Sequence, residues 1–425
     1  MNVVAASDRA ALADLLDVGW RASDAVAAEV AEILSDVRGR GDAALVECAR
    51  RYDDENFTAS KLRVPIPMLD GARALVPTGI SDALEVAKER IARFHRRQRQ
   101  PNITYVEEDG SRYAVARRPL RSVMVYAQRS SPASAVLMGA VPAKIAGVSR
   151  VIVMSPHRGD ALPGAVLFAC ALCGVDELYA AGGAQAVAAA AYGTESIGRA
   201  DKIVGRGGFW TTEAKRQVFG RCGIDGLTGP AEVLVVADDG ANSEYVVGEL
   251  LAQAELHAVT RLAVLSESRA LLEAVAQLID TLDLQTVERS ELVSSAILTH
   301  CRLIAASSRE ELFEVLNGFA PAYLCLQVRD ATAYLDQIVG AGTVFVGDMT
   351  PLVSGEYLAG TNRVVPSSGT ARFSSSLSLS DFTHSFSVIE NSPDRITNDA
   401  PLLAALAELD GLPHHAQTAR MRCGN

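Results

Sequence analysis

The sequence predicts an α/β protein built on parallel, doubly wound sheets, and three observations carry that reading. Short β-rich runs alternate with small-residue segments long enough for helices: VMVYA, RVIVMS, DELYAA and DKIVG follow one another in the first half of the chain. The rhythm then restarts at EVLVVAD and continues through RLAVLSE, HCRLIAAS, AYLCLQV and GTVFVGD, so two Rossmann-like units are expected. Finally, 49% hydrophobic residues with only 5% aromatic ones suit strands that pack between helices on both faces. A chain of 425 residues is long enough for two main domains plus extensions.

The flanking elements follow from local pattern. Residues 6–35 carry helical periodicity, and Ser81 to Gln100 continue it with the basic end RFHRRQRQ, suited to a helix C-terminus. The segment from Val353 to Phe382 is crowded with Gly, Ser, Thr, Asn and Pro, a composition that marks either disorder or function in a long irregular stretch. Its interspersed Tyr357, Arg372 and Phe373 favour an ordered functional loop. The tail, Asp399 to Asn425, reads as one helix, a break at Gly411-Leu412-Pro413 and a short basic end.

Bulk properties narrow the partners. A net charge of −11 argues against nucleic acid or an anionic membrane. The most apolar region, Ala133 to Met154, is broken by Pro142, Lys144, Ser149 and Arg150, so no membrane span is expected, and no signal segment opens the chain. Seven scattered cysteines read as buried thiols in a reducing cytoplasm, and the C-x-x-C of Cys170 and Cys173 lies inside VLFACALCGV, where core packing explains it.

Ligand sites in open α/β sheets lie where strands turn into helices. The turns AAGGAQ, with Gly182 and Gly183, and VGRGGFW fit that place, either as ligand cradles or as tight structural turns. In ELLAQAELH, Gln253 and His257 stand four residues apart and could present an amide oxygen and an imidazole to a metal, or could be a solvated helix end. His414 and His415 form a second histidine cluster.

These segments, with SGEYLAGTNRVVPSSGTARFSSSLSLSDF, SAVLMGAVPAKIAGV, GIDGLTGPAEVLVVAD and NGFAPAYL in the same order, resemble the histidinol dehydrogenase family, zinc- and NAD-dependent enzymes that oxidise L-histidinol twice. The resemblance covers nearly the whole chain. It implies a homodimer whose N- and C-terminal extensions are swapped onto the partner and a small-molecule substrate. The division expected on this basis is an N-terminal helical extension over 1–24, a discontinuous first Rossmann-like domain over 25–125 and 234–377, a second over 126–233, and a C-terminal extension over 378–425.

Carried over residue by residue, the resemblance places zinc ligands at Gln253, at Leu256 with His257 one position later, at Glu356 in place of an aspartate, and at His415. Neighbouring ligand positions on a helix differ by about 100°, so His257 substitutes only if the helix rotates; zinc binding is left open. NAD or NADP is implied at Tyr126, Gln185 and Gly208, the last replacing an asparagine, and substrate at Asp410 and Ala231, the latter replacing a serine. The family's Glu-His catalytic pair falls on Ala322 and Tyr323, a further histidine falls on Arg363, and YAQRSSPAS replaces a Pro-Gly-Gly turn. General acid–base groups are worth about 10² to 10⁴-fold each, so these changes suggest altered chemistry, with Tyr323 at the reacting carbon and Arg363 favouring tyrosinate or pairing with an anionic substrate. Three readings follow, in order of preference: a diverged NAD(P)-dependent alcohol or amino-alcohol dehydrogenase, a catalytically silent paralogue that binds or partners, and histidinol dehydrogenase proper with a rearranged site.

Overall fold

The computed structural model describes residues 1–16, 19, 22–129, 132–157 and 162–422. Its strands, in chain order, begin with β1 (Val3–Ala5), β2 (Arg63–Val64), β3 (Ile103–Val106), β4 (Arg112–Pro119) and β5 (Ser122–Tyr126). They continue with β6 (Arg150–Met154), β7 (Glu177–Tyr179), β8 (Lys202–Val204), β9 (Gly223–Ile224) and β10 (Glu232–Ala237). The last are β11 (Arg261–Ser266), β12 (Cys301–Ala305), β13 (Tyr323–Gln327), β14 (Thr343–Val346) and β15 (Thr383–Glu390). The chain divides into two compact units, a larger one of Met1–Gln98 with Leu120–Phe382 and a smaller one of Arg99–Pro119 with Thr383–Asn425.

The larger unit holds two six-stranded sheets. The first runs β2-β7-β6-β5-β8-β9 and is parallel except where β2 meets β7. The second runs β1-β12-β11-β10-β13-β14 and is parallel throughout. In each, the chain winds outward from a central strand and then returns to that strand's other side, which is the doubly wound plan expected. Every residue of β5 and β10 is buried, as strands covered by helices on both faces must be. The helix Gly183–Tyr192 buries an unbroken run from Ala184 to Ala191, almost all alanine, so helices Asp24–Arg40 and Phe209–Val218 lie close against it.

Strands β2 and β5 and helix Asp24–Arg40 pack with the first sheet. Alternation of strands and helices identifies elements without saying which sheet each joins. The N-terminal segment is also less helical than its periodicity suggests: Val3–Ala5 adds an edge strand to β12, and Ala13–Leu16 is a single turn. The first long helix starts only at Asp24, where the Ser23 side chain accepts the Val26 N–H. Four residues of this extension (17, 18, 20 and 21) and Ser130-Ser131 of YAQRSSPAS lie outside the described residues.

The smaller unit is a three-stranded antiparallel sheet, β15-β4-β3, with helices Pro393–Leu409 and Pro413–Arg420. The first of these starts six residues before the predicted Asp399, because Ser392 caps it and Pro393 is preset for a first turn. Gly411, at φ 72°, makes the predicted break. The Gly- and Ser-rich stretch is ordered: after the short helix Leu352–Tyr357, Asn362 is buried and its amide donates to the Met138 carbonyl at 2.7 Å. Cys170 and Cys173 are buried free thiols, and burial pushes Cys173 up to about 12, as core packing requires. No described helix is long and apolar enough to cross a membrane.

Candidate active site

The first sheet's switch point lies between β5 and β8, and the turns that leave these strands carry Gln128 and Arg206. The turn after β8 depends on glycine: Gly205 has φ 115°, and a Cβ there would stand 2.4 Å from the Tyr126 carbonyl oxygen. A buried ion pair clamps the same turn. Lys215 Nζ pairs with Asp225 and donates to the Gly205 carbonyl at 3.1 Å, while Asp225 accepts the Gly205 N–H at 2.7 Å. Arg206 is thereby held over the crevice.

Of the dinucleotide positions, Tyr126 and Gln185 meet at one glycine. The Gly183 N–H donates to Tyr126 Oη at 3.1 Å, and a Cβ on Gly183 would stand 2.6 Å from Gln185 Oε1. Burial raises the Tyr126 phenol above its usual range, so it stays protonated. Gly208 opens helix Phe209–Val218 without a side-chain cap, and nothing lies within 4 Å of where its Cβ would be.

A pocket of about 130 Å³ joins the two lobes of the larger unit, with Gln128, Arg206 and Gly208 on one side and Ala231, Gln253 and His257 on the other. The helix that carries Gln253 ends at Ala254, so His257 lies in the following turn and reaches the pocket without any helix rotation, contrary to the sequence expectation. Its ring stands edge-on to Phe209 with centroids 5.6 Å apart, and burial and then Arg206 lower its pKa, favouring the neutral imidazole. Gln253 Oε1 is buried and has no hydrogen-bond donor.

Behind the pocket wall lies a charged cluster. The Tyr323 hydroxyl, 1% exposed with its residue, donates to Glu356 Oε1 at 2.5 Å and receives a 3.4 Å hydrogen bond from Arg206 Nη1. Arg206 reaches Glu356 Oε1 at 3.6 Å, and Arg363 Nε reaches Oε2 at 3.3 Å. Arg363 also donates to Ser134 Oγ at 2.9 Å. Burial, and then the Glu356 carboxylate, push the Tyr323 phenol well above its ordinary range, outweighing both arginines. Arg363 does favour tyrosinate, as expected, but burial and Glu356 outweigh it, and the phenol is a proton donor held by Glu356. Ala322 is fully buried and offers no polar side-chain group.

The zinc set does not fit this arrangement. Both Glu356 oxygens are already taken by guanidinium groups and a phenol, and a unit charge 4 Å from another costs about 4 kcal/mol at an effective dielectric near 20. A dication would meet Arg206 and Arg363 together. Among the described residues, no three His, Cys, Asp or Glu gather as a metal site. His415 and Asp410 belong to the smaller unit, where both are exposed.

Three elements of the site escaped the sequence reading. Arg206 stood inside a turn noted only for its glycines. The Lys215–Asp225 clamp left no local signal, its partners being ten residues apart. Glu232, the first residue of β10, is wholly buried; Oε1 accepts the Ser368 N–H at 2.7 Å and meets Arg261 at 3.3 Å, while Oε2 has no partner. Burial raises its carboxyl to about 7. A carboxylate opening an otherwise apolar strand was the available sign.

Comparison with known proteins finds similarity over nearly the full length of the chain. The histidinol dehydrogenase family profile matches residues 19–423. The chain is 39% identical to the histidinol dehydrogenase of Gluconobacter oxydans over 406 residues, covering 95% of this chain and 94% of that protein. It is 37% identical to that of Listeria monocytogenes serotype 4b over 399 residues, 93% of each. The crystal structure of histidinol dehydrogenase from Elizabethkingia anophelis superposes with a TM-score of 0.90 at 29% identity, covering 97% and 95% of the two chains. A profile spanning both sheets and the tail, together with relatives matched almost end to end, leaves one assignment: the chain belongs to the histidinol dehydrogenase family.

Proposed function

We propose that this chain is a dinucleotide-dependent oxidoreductase that oxidises a small alcohol in the pocket between its two lobes. One observation carries the reading: in a chain of this family, the glycine turn at the first sheet's switch point and the Gln253–His257 segment line the same pocket. Tyr126, Gln185 and Gly208 would hold NAD or NADP, which when bound supplies the hydride acceptor. Tyr323 and Glu356 position Arg206 and keep a proton on the phenol, so Tyr323 serves as a positioning residue here.

Two substrates are in contention, each with its own support. The relatives' shared name favours L-histidinol, the reading that the sequence placed last. The residues at the family's acid–base positions, behind the pocket wall, favour a diverged alcohol, because neither Ala322 nor protonated Tyr323 can activate water there for a second oxidation. Incubating the purified chain with L-histidinol and NAD or NADP, and following reduced cofactor and product histidine, separates them. Two reduced cofactors per histidine formed establish the first substrate, whereas reduced cofactor formed only from other alcohols establishes the second. No turnover with any alcohol would leave the silent paralogue. We also propose a homodimer, on the family resemblance, to be checked by light scattering.

A further inference from the structure

Among the described residues, the arginines around the pocket outnumber the carboxylates they meet. Arg206, Arg363 and Arg261 face two carboxylates, Glu356 and Glu232, and the burial that lifts the Glu232 carboxyl leaves it only partly ionised at neutral pH. His257 adds no negative charge. Arg206 also has spare capacity: its contacts are a 3.4 Å hydrogen bond and a 3.6 Å ion pair, both long for a guanidinium with five N–H donors. Leaving a buried charge unneutralised is costly, and Arg206 lines the pocket beside Gly208, where helix Phe209–Val218 begins uncapped. Across the pocket stands Gln253, whose side-chain oxygen is buried behind the lining without a donor.

We propose that this pocket recognises an anionic alcohol, its acidic head (carboxylate, sulfonate or phosphate) seated on the Arg206 guanidinium and the opening N–H groups of helix Phe209–Val218, its hydroxyl end toward the Gln253 side of the pocket. The inference rests on the redox reading for its biological sense and names the substrate class of the same site. An ammonium in that seat would face Arg206, and its repulsion would exclude cationic amino alcohols. A guanidinium here takes the place of a metal ion as the positive centre.

The test is calorimetric titration of the full chain with two-carbon alcohols that differ mainly at one end: glycolate, 2-hydroxyethanesulfonate, 2-hydroxyethyl phosphate, ethylene glycol and ethanolamine. At least one anion is expected to bind tenfold or more tightly than ethylene glycol, with ethanolamine weakest, and the preferred anion identifies the head group. Arg206→Met is expected to lower that anion's affinity at least tenfold while leaving ethylene glycol unchanged. Arg206→Gln, which keeps hydrogen bonds to Tyr323 and Glu356 but drops the charge, carries the same expectation if the first variant fails to fold. Equal binding of anion and diol, tighter binding of ethanolamine or L-histidinol, or no loss in the folded variant would each overturn the proposal. Binding needs no turnover, so a chain that takes the anion but oxidises no alcohol defeats the redox reading and leaves this inference standing.

Discussion

Tyr323 occupies the position where the resemblance places a histidine, and the two side chains obey opposite rules on burial. A buried histidine tends to lose its proton, whereas a buried phenol keeps it, and Glu356 strengthens that preference. Tyr323→Phe removes a hydrogen bond to a charged group, so a loss of about 1.5–3 kcal/mol is expected from urea unfolding; an unchanged midpoint would mean that the arginines alone hold Glu356. Glu232 gives a pH signature. Its folded pKa of about 7 lies above the unfolded value of 4.5, so its favourable contribution is complete below that unfolded value and fades as pH rises through 7. The full effect is on the order of 3 kcal/mol. Glu232→Gln should therefore melt progressively higher than the parent protein as pH climbs from about 5 to about 8, and a constant difference would show that Glu232 is not buried protonated. Gln253, His257 and Gly208 could be found from sequence because family motifs mark them. Arg206 could not, since its importance comes from a carboxylate 150 positions away.

At the scale of elements, the long central strands were legible because burial on both faces writes them as unbroken apolar runs. The edges were not: β2 and β9 have two residues each, and such strands exist only because a neighbour supplies their hydrogen bonds. The turn after β8 is the element on which the site depends most. Lys215→Met leaves Asp225 buried and unpaired, which should cost about 3–5 kcal/mol by thermal or urea unfolding. Lys215→Met together with Asp225→Asn is expected to recover a large part of that loss. A double variant no better than the single one would indicate that the clamp acts through shape and not through charge.

For the whole molecule, sequence alternation predicted two doubly wound sheets, and the family profile accounts for their combination in one chain. What alternation could not predict was that helix Asp24–Arg40 packs onto the first sheet's lobe, since that depends on small alanine faces meeting across long stretches of chain. The absence of a fitting zinc set predicts that exhaustive chelation leaves the melting temperature unchanged and that purified protein carries far less than one zinc per chain by mass spectrometry. Stoichiometric zinc that is lost with a drop in melting temperature would show that Glu356 exchanges its arginine partners for metal.

The two sheets meet the pocket at opposite edges, the first through the ends of its strands and the second through their beginnings. Helix Phe209–Val218 therefore points its start at the pocket, and helix Ser243–Ala254 points its end there. Peptide dipoles aligned along each helix give about half a positive charge at the one and about half a negative charge at the other. The pocket thus lies within a built-in electric gradient supplied by backbone alone. A molecule with unlike ends is favoured in one orientation as it enters.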